Sequence, residues 1–176
     1  MRPRRASGSS SGSVWLRGEA FIEALENRLG LPPVSAVPGE SLIAYRDCLE
    51  ALDSPSRFYH VSFAVDPIAV TRTLLEWRER FYLYGWAGTV ERSASLRLRD
   101  LADIERQASA KVPLCLGQRI ERVRGALQAG LACGVTHVTL DQPLVRAPGA
   151  WRKLLECFEH SDTAAVPAPR GRYRSR

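Results

Sequence analysis

The chain has 176 residues, 45% of them apolar and 25% charged, a balance that fits one globular domain or a piece of a larger protein. It has no run of eighteen apolar residues to span a bilayer, and the opening MRPRRASGSSSGS lacks the apolar stretch of a secretory signal. The net charge of +6 sits in the ends: Arg2, Arg4 and Arg5 lie in the first residues and Arg170, Arg172, Arg174 and Arg176 in the last seven, whereas Val14 to His160 holds 18 basic and 18 acidic residues.

Residues 1–13 therefore read as a flexible basic Ser/Gly arm, residues 14–160 as the folded part, and residues 161–176 as a disordered basic tail. Solvated ends and non-specific phosphate contacts both suit the two arms. Val14, Trp15 and Leu16 are expected to end a short strand that leads into a first helix, where Phe21, Ile22, Leu25 and Leu29 recur at helical spacing before Gly30 and the Pro32–Pro33 stop. Leu42, Tyr45, Leu49 and Leu52 form the stripe of a second helix, broken by Asp53 to Ser56.

The third helix has the best-marked start. Asp66 is placed to cap it and Pro67 takes the first position, where no N–H is required. Val70, Leu74, Trp77, Phe81 and Tyr84 then follow at steps of four, three, four and three, a seam for a core. Arg72, Glu76 and Arg80 fall opposite, able to pair along the solvent face. Gly85 is placed to end the helix and Trp86 to fold back on it. The same aromatics and arginines would make a base-stacking platform only if the rings were exposed, and their spacing puts them on the buried seam.

A fourth helix runs through LRLRDLADIERQA on Leu98, Leu101 and Ile104, and a fifth through LGQRIERVRGALQAGLA on Ile120, Val123, Leu127 and Leu131. VTHVTLDQP, residues 135–143, is β-branched and alternating and reads as the best strand in the chain. It needs a partner, either the Val14 region or strands from elsewhere, and parallel pairing through helices is the natural solution. A last helix places Trp151, Leu154, Leu155 and Phe158 on one side, with Pro148 near its first turn.

Motifs with chemistry are sparse. Only Lys111 and Lys153 occur, and neither follows a glycine, so the phosphate-cradling GxxxxGK[ST] loop is missing; Ser109 and Trp151 stand where a (D/E)xK nuclease needs an acidic metal ligand. Cys48, Cys115, Cys133 and Cys157, like His60, His137 and His160, are scattered without metal-ligand spacing, which fits reduced cysteines in a cytoplasm. Asp141 ends the best strand, where α/β proteins often keep functional groups, but Asp-Gln-Pro is an ordinary turn; His137 is expected to be a partly buried structural residue. No catalytic, cofactor-binding or metal-binding residue is assigned, and no cofactor is expected.

ALENRLGLP at 24–32, AYRDCLEAL at 44–52, FYHVSFAVDPIAVTRTLLEWRERFYLYGW at 58–86, LRLRDLADIE at 96–105, and THVTLDQP followed by PGAWRKLLECFE occur in an order that resembles the N-terminal region of bacterial RecB-like nucleases of the PD-(D/E)XK family. In that family this region is similar to a degenerate superfamily I helicase domain of the AddB type. The likeness covers roughly residues 14–159 and is most specific from Ser62 to Trp86, in the serine-phenylalanine, aspartate-proline, tryptophan-arginine and glycine-tryptophan pairs. The family's nuclease motif lies far beyond this stretch, so the resemblance carries no catalytic residue onto the chain.

The resemblance implies an α/β, predominantly helical fragment of a helicase-like domain with few parallel strands. Its expected function is a non-catalytic scaffolding or DNA-path part of a DNA repair or recombination nuclease. DNA, through the parent protein or the basic tails, and a nuclease or helicase are the implied partners, with no membrane. A free-standing helical protein-interaction module and a small basic-arm DNA binder are the competing readings.

Overall fold

The structure, a computed structural model, describes residues 14, 16–34 and 37–162. The expected basic arm and most of the expected tail lie outside the described residues, as does Trp15. Seven α-helices and a two-stranded parallel sheet make a predominantly helical α/β fold among the described residues.

Helix α1 (Gly18–Leu29) buries Ile22, Leu25 and Leu29, and ends at Gly30, whose φ of 66° is the left-handed conformation expected there. Helix α2 (Glu40–Leu52) buries Tyr45, Cys48 and Leu49. A short helix α3 (His60–Val65), not apparent from sequence periodicity, buries Phe63. It runs into α4 (Pro67–Leu83), the helix with the clear start: the Asp66 carboxylate accepts from the Ala69 N–H at 2.9 Å, and Pro67 begins the first turn.

Helix α5 (Leu96–Lys111) is capped by the Ser95 hydroxyl and buries Leu101, Ile104 and Ala108, while Leu98 is exposed. Helix α6 (Leu116–Gln128) buries Ile120, Val123 and Ala126. It stops short of the expected Leu131, which is 50% exposed: the chain turns at Gly130, whose N–H donates to the Leu127 carbonyl. A two-glycine stretch of weak helix propensity makes that an economical place to end. Helix α7 (Gly149–Leu155) is one turn shorter than its apolar pattern suggests; Leu154 and Leu155 are buried within it and Phe158 just beyond it.

The expected strand forms as β1 (His137–Leu140). Its partner is β2 (Glu159–Asp162), in parallel register from His137 opposite Glu159 to Leu140 opposite Asp162. The Val14 region is not that partner: Val14 and Leu16 are exposed and belong to no strand. Ser161 and Asp162, which the composition groups with the tail, thus lie in the sheet.

Two apolar clusters form the core. One gathers α1, α6 and α7 around Ile22, Leu25, Ile120, Val123 and Leu154; the other gathers α2, α3, α4 and α5 around Tyr45, Leu49, Tyr59, Leu74 and Ile104. Helix α4 connects them, packing against α2 and α3 on one side and α6 and α7 on the other. Among the described residues no helix is long and apolar enough to cross a membrane.

Because Asp66 is exposed and its carboxylate is the side-chain cap of the connecting helix, Asp66→Ala is expected to lower stability by about 1 kcal/mol in denaturant unfolding, with Asp66→Asn close to the parent.

Candidate functional site

The buried face of α4 is rotated from the aromatic seam that periodicity suggests. Thr71, Leu74 and Arg78 are its deepest residues, Trp77 and Phe81 are half-buried, and Tyr84, just past the last helical turn, is 72% exposed. Thr71 satisfies its hydroxyl on the Pro67 carbonyl at 2.6 Å. Arg72, Glu76 and Arg80 do face solvent, but they form no ion pair with one another.

Arg78, only 3% exposed, is the centre of a polar network between helices. Its Nε donates to Glu105 Oε2 at 2.8 Å and its Nη2 to Glu105 Oε1 at 3.0 Å, a two-pronged pairing with α5. Nη2 also donates to Gln118 Oε1 on α6 at 2.8 Å, and that same oxygen accepts from the Cys115 N–H at 3.1 Å. The Tyr82 hydroxyl donates to Glu105 Oε1 at 2.9 Å, and the Tyr82 ring lies under the guanidinium at 5.5 Å.

Burial disfavours the charged Arg78, but the Glu105 hydrogen bonds and charge outweigh it and hold the guanidinium above its ordinary value. The same burial, reinforced by Glu105, lifts the Tyr82 hydroxyl well above the usual tyrosine value. Neither group is poised for proton transfer near neutral pH. Gly117 is required beside them: a Cβ there would lie 2.6 Å from the Tyr82 backbone, so only glycine lets α6 approach α4 this closely.

Two further clamps use the same chemistry. Glu26, 4% exposed on α1, accepts from Arg119 Nη2 at 2.7 Å and Arg122 Nη2 at 2.6 Å, both on α6. Arg57 reaches Asp100 at 2.6 Å and Asp103 at 2.8 Å on α5, while Asp100 also accepts from the Phe58 N–H.

The aromatic residues complete the interior. Phe58 and Trp77 stack nearly parallel at 6.5 Å, with the Arg97 guanidinium 5.3 Å from the Phe58 ring. Trp86 folds back onto Phe81 and Tyr82 and donates its indole N–H to the Thr89 carbonyl at 2.7 Å, while Gly85 takes φ +99° at the helix end, as expected. The rings are spent on packing.

Asp141 is exposed at the bend after β1. His137 is exposed too, against the expectation of partial burial, because it lies on the face of β1 away from the core; its Nε2 meets the Ser161 hydroxyl at 2.9 Å across the sheet. His60 instead pairs with Asp53 at 3.0 Å, closing the loop between α2 and α3. Lys111 and Lys153 are exposed on separate helices. Among the described residues no group of three or more His, Cys, Asp and Glu side chains is placed to hold a metal ion.

A groove of about 780 Å³ lies between α1, α4 and residues 113–116. Leu75, Leu83, Leu114 and Leu116 supply its apolar lining, and Glu19, Glu23, Glu26, Glu76 and Glu79 its acidic walls. Burial lifts the Glu79 carboxyl above its ordinary value, against the opposing pull of the Leu116 N–H, which donates to it at 3.3 Å, of the Arg78 charge and of the Gly117 N–H. The nearby Cys115 thiol is pushed by burial to about 11, so it is not an activated nucleophile. The arrangement suits recognition of a cationic group better than covalent catalysis. No family model, curated protein or solved structure matches the chain.

Burial opposes ionisation of Glu26, and the hydrogen bonds and charges of Arg119 and Arg122 overcome it, leaving the carboxyl below its ordinary value of 4.5. A lowered folded-state value contributes stability above pH 4.5 that is lost as pH falls through the folded value. Glu26→Gln should therefore lose stability at neutral pH and show a flatter decline under acid than the parent, measured as unfolding midpoint against pH.

Proposed function

We propose that this chain is a non-catalytic, helicase-like scaffolding part of a DNA-processing nuclease, acting in the cytoplasm, with the cleavage chemistry supplied by another segment or partner. The observation that carries the reading is the parallel pairing of β1 with β2 through α7. A parallel β-α-β unit is the repeating element of the doubly wound sheets from which helicase-type domains are built, and such sheets are ordinarily covered on both faces and extended by further strands. Here two four-residue strands stand with His137 and Thr139 exposed, too little sheet to be stable without added strands or cover.

The residues that carry the family likeness support the same reading, since all but the exposed Ser62 have an architectural task. Phe63 fills the core, Asp66 and Pro67 start α4, Trp77 stacks on Phe58, Arg78 joins three helices, and Gly85 with Trp86 ends α4. DNA would then be met through the rest of the assembly or the basic ends. The four cysteines are free, with Cys48 and Cys133 buried, as suits a reducing compartment.

With magnesium, ATP and linear duplex DNA, the purified chain is expected to release neither phosphate nor nucleotides, and sustained turnover would contradict a scaffolding role. Hydrogen exchange tests the sheet: amides at 137–140 and 159–162 should exchange far faster than those of α4 and α6, and equal protection would mean that the sheet needs no further strands.

A further inference from the structure

The acidic groove described above is only partly neutralised by its own surroundings. Of the two arginines that line it, Arg78 is committed to Glu105 and Arg119 to Glu26, with Glu19 a longer 3.3 Å contact of Arg119. Glu23 and Glu76 are exposed and Glu79 half-buried, and none of the three forms an ion pair among the described residues. Between these carboxylates the lining is mostly apolar, with four leucines among it, so the groove offers apolar contact and the unpaired charge of Glu23 and Glu76 together.

The rest of the sequence holds the complementary charge. Arg2, Arg4 and Arg5 belong to residues 1–13, and these join the described chain at Val14, five residues before Glu19 on the groove wall. The nine residues from Val14 back to Arg5 can extend about 30 Å, longer than the roughly 18 Å of a twelve-residue helix such as α1. The arm therefore reaches past every carboxylate that α1 contributes. The other arginine-rich end follows β2, no residue of which lines the groove, so attachment favours the N-terminal arm.

We infer that the groove between α1, α4 and residues 113–116 is a docking site for the chain's own basic arm, residues 1–13, with Arg2, Arg4 and Arg5 drawn to the exposed Glu23 and Glu76. Held there, the arginines are withdrawn from phosphate groups, so docking of the arm and contact of the arm with nucleic acid exclude one another. The inference stands apart from the helicase-like reading, because it needs only the groove and the arm.

The test is photo-crosslinking in the full chain with p-benzoylphenylalanine replacing Pro3, between Arg2 and Arg4. Irradiation of the dilute protein should give crosslinks within one chain to residues 19–27, 75–83 or 113–116. Their yield should fall several-fold in Glu23→Gln/Glu76→Gln, two exposed changes that leave the core untouched, and in about 1 M salt, where charge attraction is screened. Crosslinks scattered outside the groove, crosslinks only between two chains or only to nucleic acid, or a yield indifferent to the double substitution would each overturn the inference.

Discussion

The Arg78–Glu105 pair is the constraint on which the arrangement of helices depends. A guanidinium 3% exposed on α4 is tolerable only because a carboxylate from α5, equally buried, meets it with two hydrogen bonds, and because Gln118 of α6 and the Tyr82 ring complete its surroundings. Each remaining member of the network has a fixed direction as a result. Gln118 also caps the start of α6, and Tyr82 holds Glu105 from the other side. These directional bonds tie α4, which packs against helices of both apolar clusters, to α5 and α6, a specificity that leucine contacts alone would not supply.

The same device recurs at Glu26 with Arg119 and Arg122, and at Arg57 with Asp100 and Asp103. It also gives structural meaning to a composition with 23 arginines and 2 lysines. A planar guanidinium can bridge two acceptors where a lysine ammonium acts as a point charge. Charges spent between helices are not available to make a basic face, consistent with a neutral folded part whose positive excess lies in the chain ends. What is left uncompensated is negative, in the groove beside α1 and α4.

The long helices were legible because their apolar residues repeat at three and four, and Asp66-Pro67 and Gly85-Trp86 mark boundaries through backbone chemistry that needs no tertiary context. Helix α3, only HVSFAV, is too short to show a helical period, and β2, EHSD, contains no β-branched residue and no Phe, Tyr or Trp, so its strand form comes from pairing with β1. The polar network was hidden for a different reason: polarity suggests solvent for Arg78, Glu105 and Glu26. A signal existed in the spacing, since Arg78 follows Leu74 by four and Glu105 follows Leu101 by four, on the faces that those leucines bury. The groove was not legible, because it is made by side chains from α1, α4 and a loop far apart in the sequence.

These features describe a chain whose best-marked segment, from Phe63 to Trp86, organises its structure. The central claim, that the buried pair governs how the helices are joined, is tested most directly by a double-mutant cycle on Arg78→Met and Glu105→Leu in denaturant unfolding. Each single change should cost about 3–5 kcal/mol by leaving a buried charge alone, while the double change should cost much less than their sum. Additive losses, or single changes that cost under about 1 kcal/mol, would contradict it.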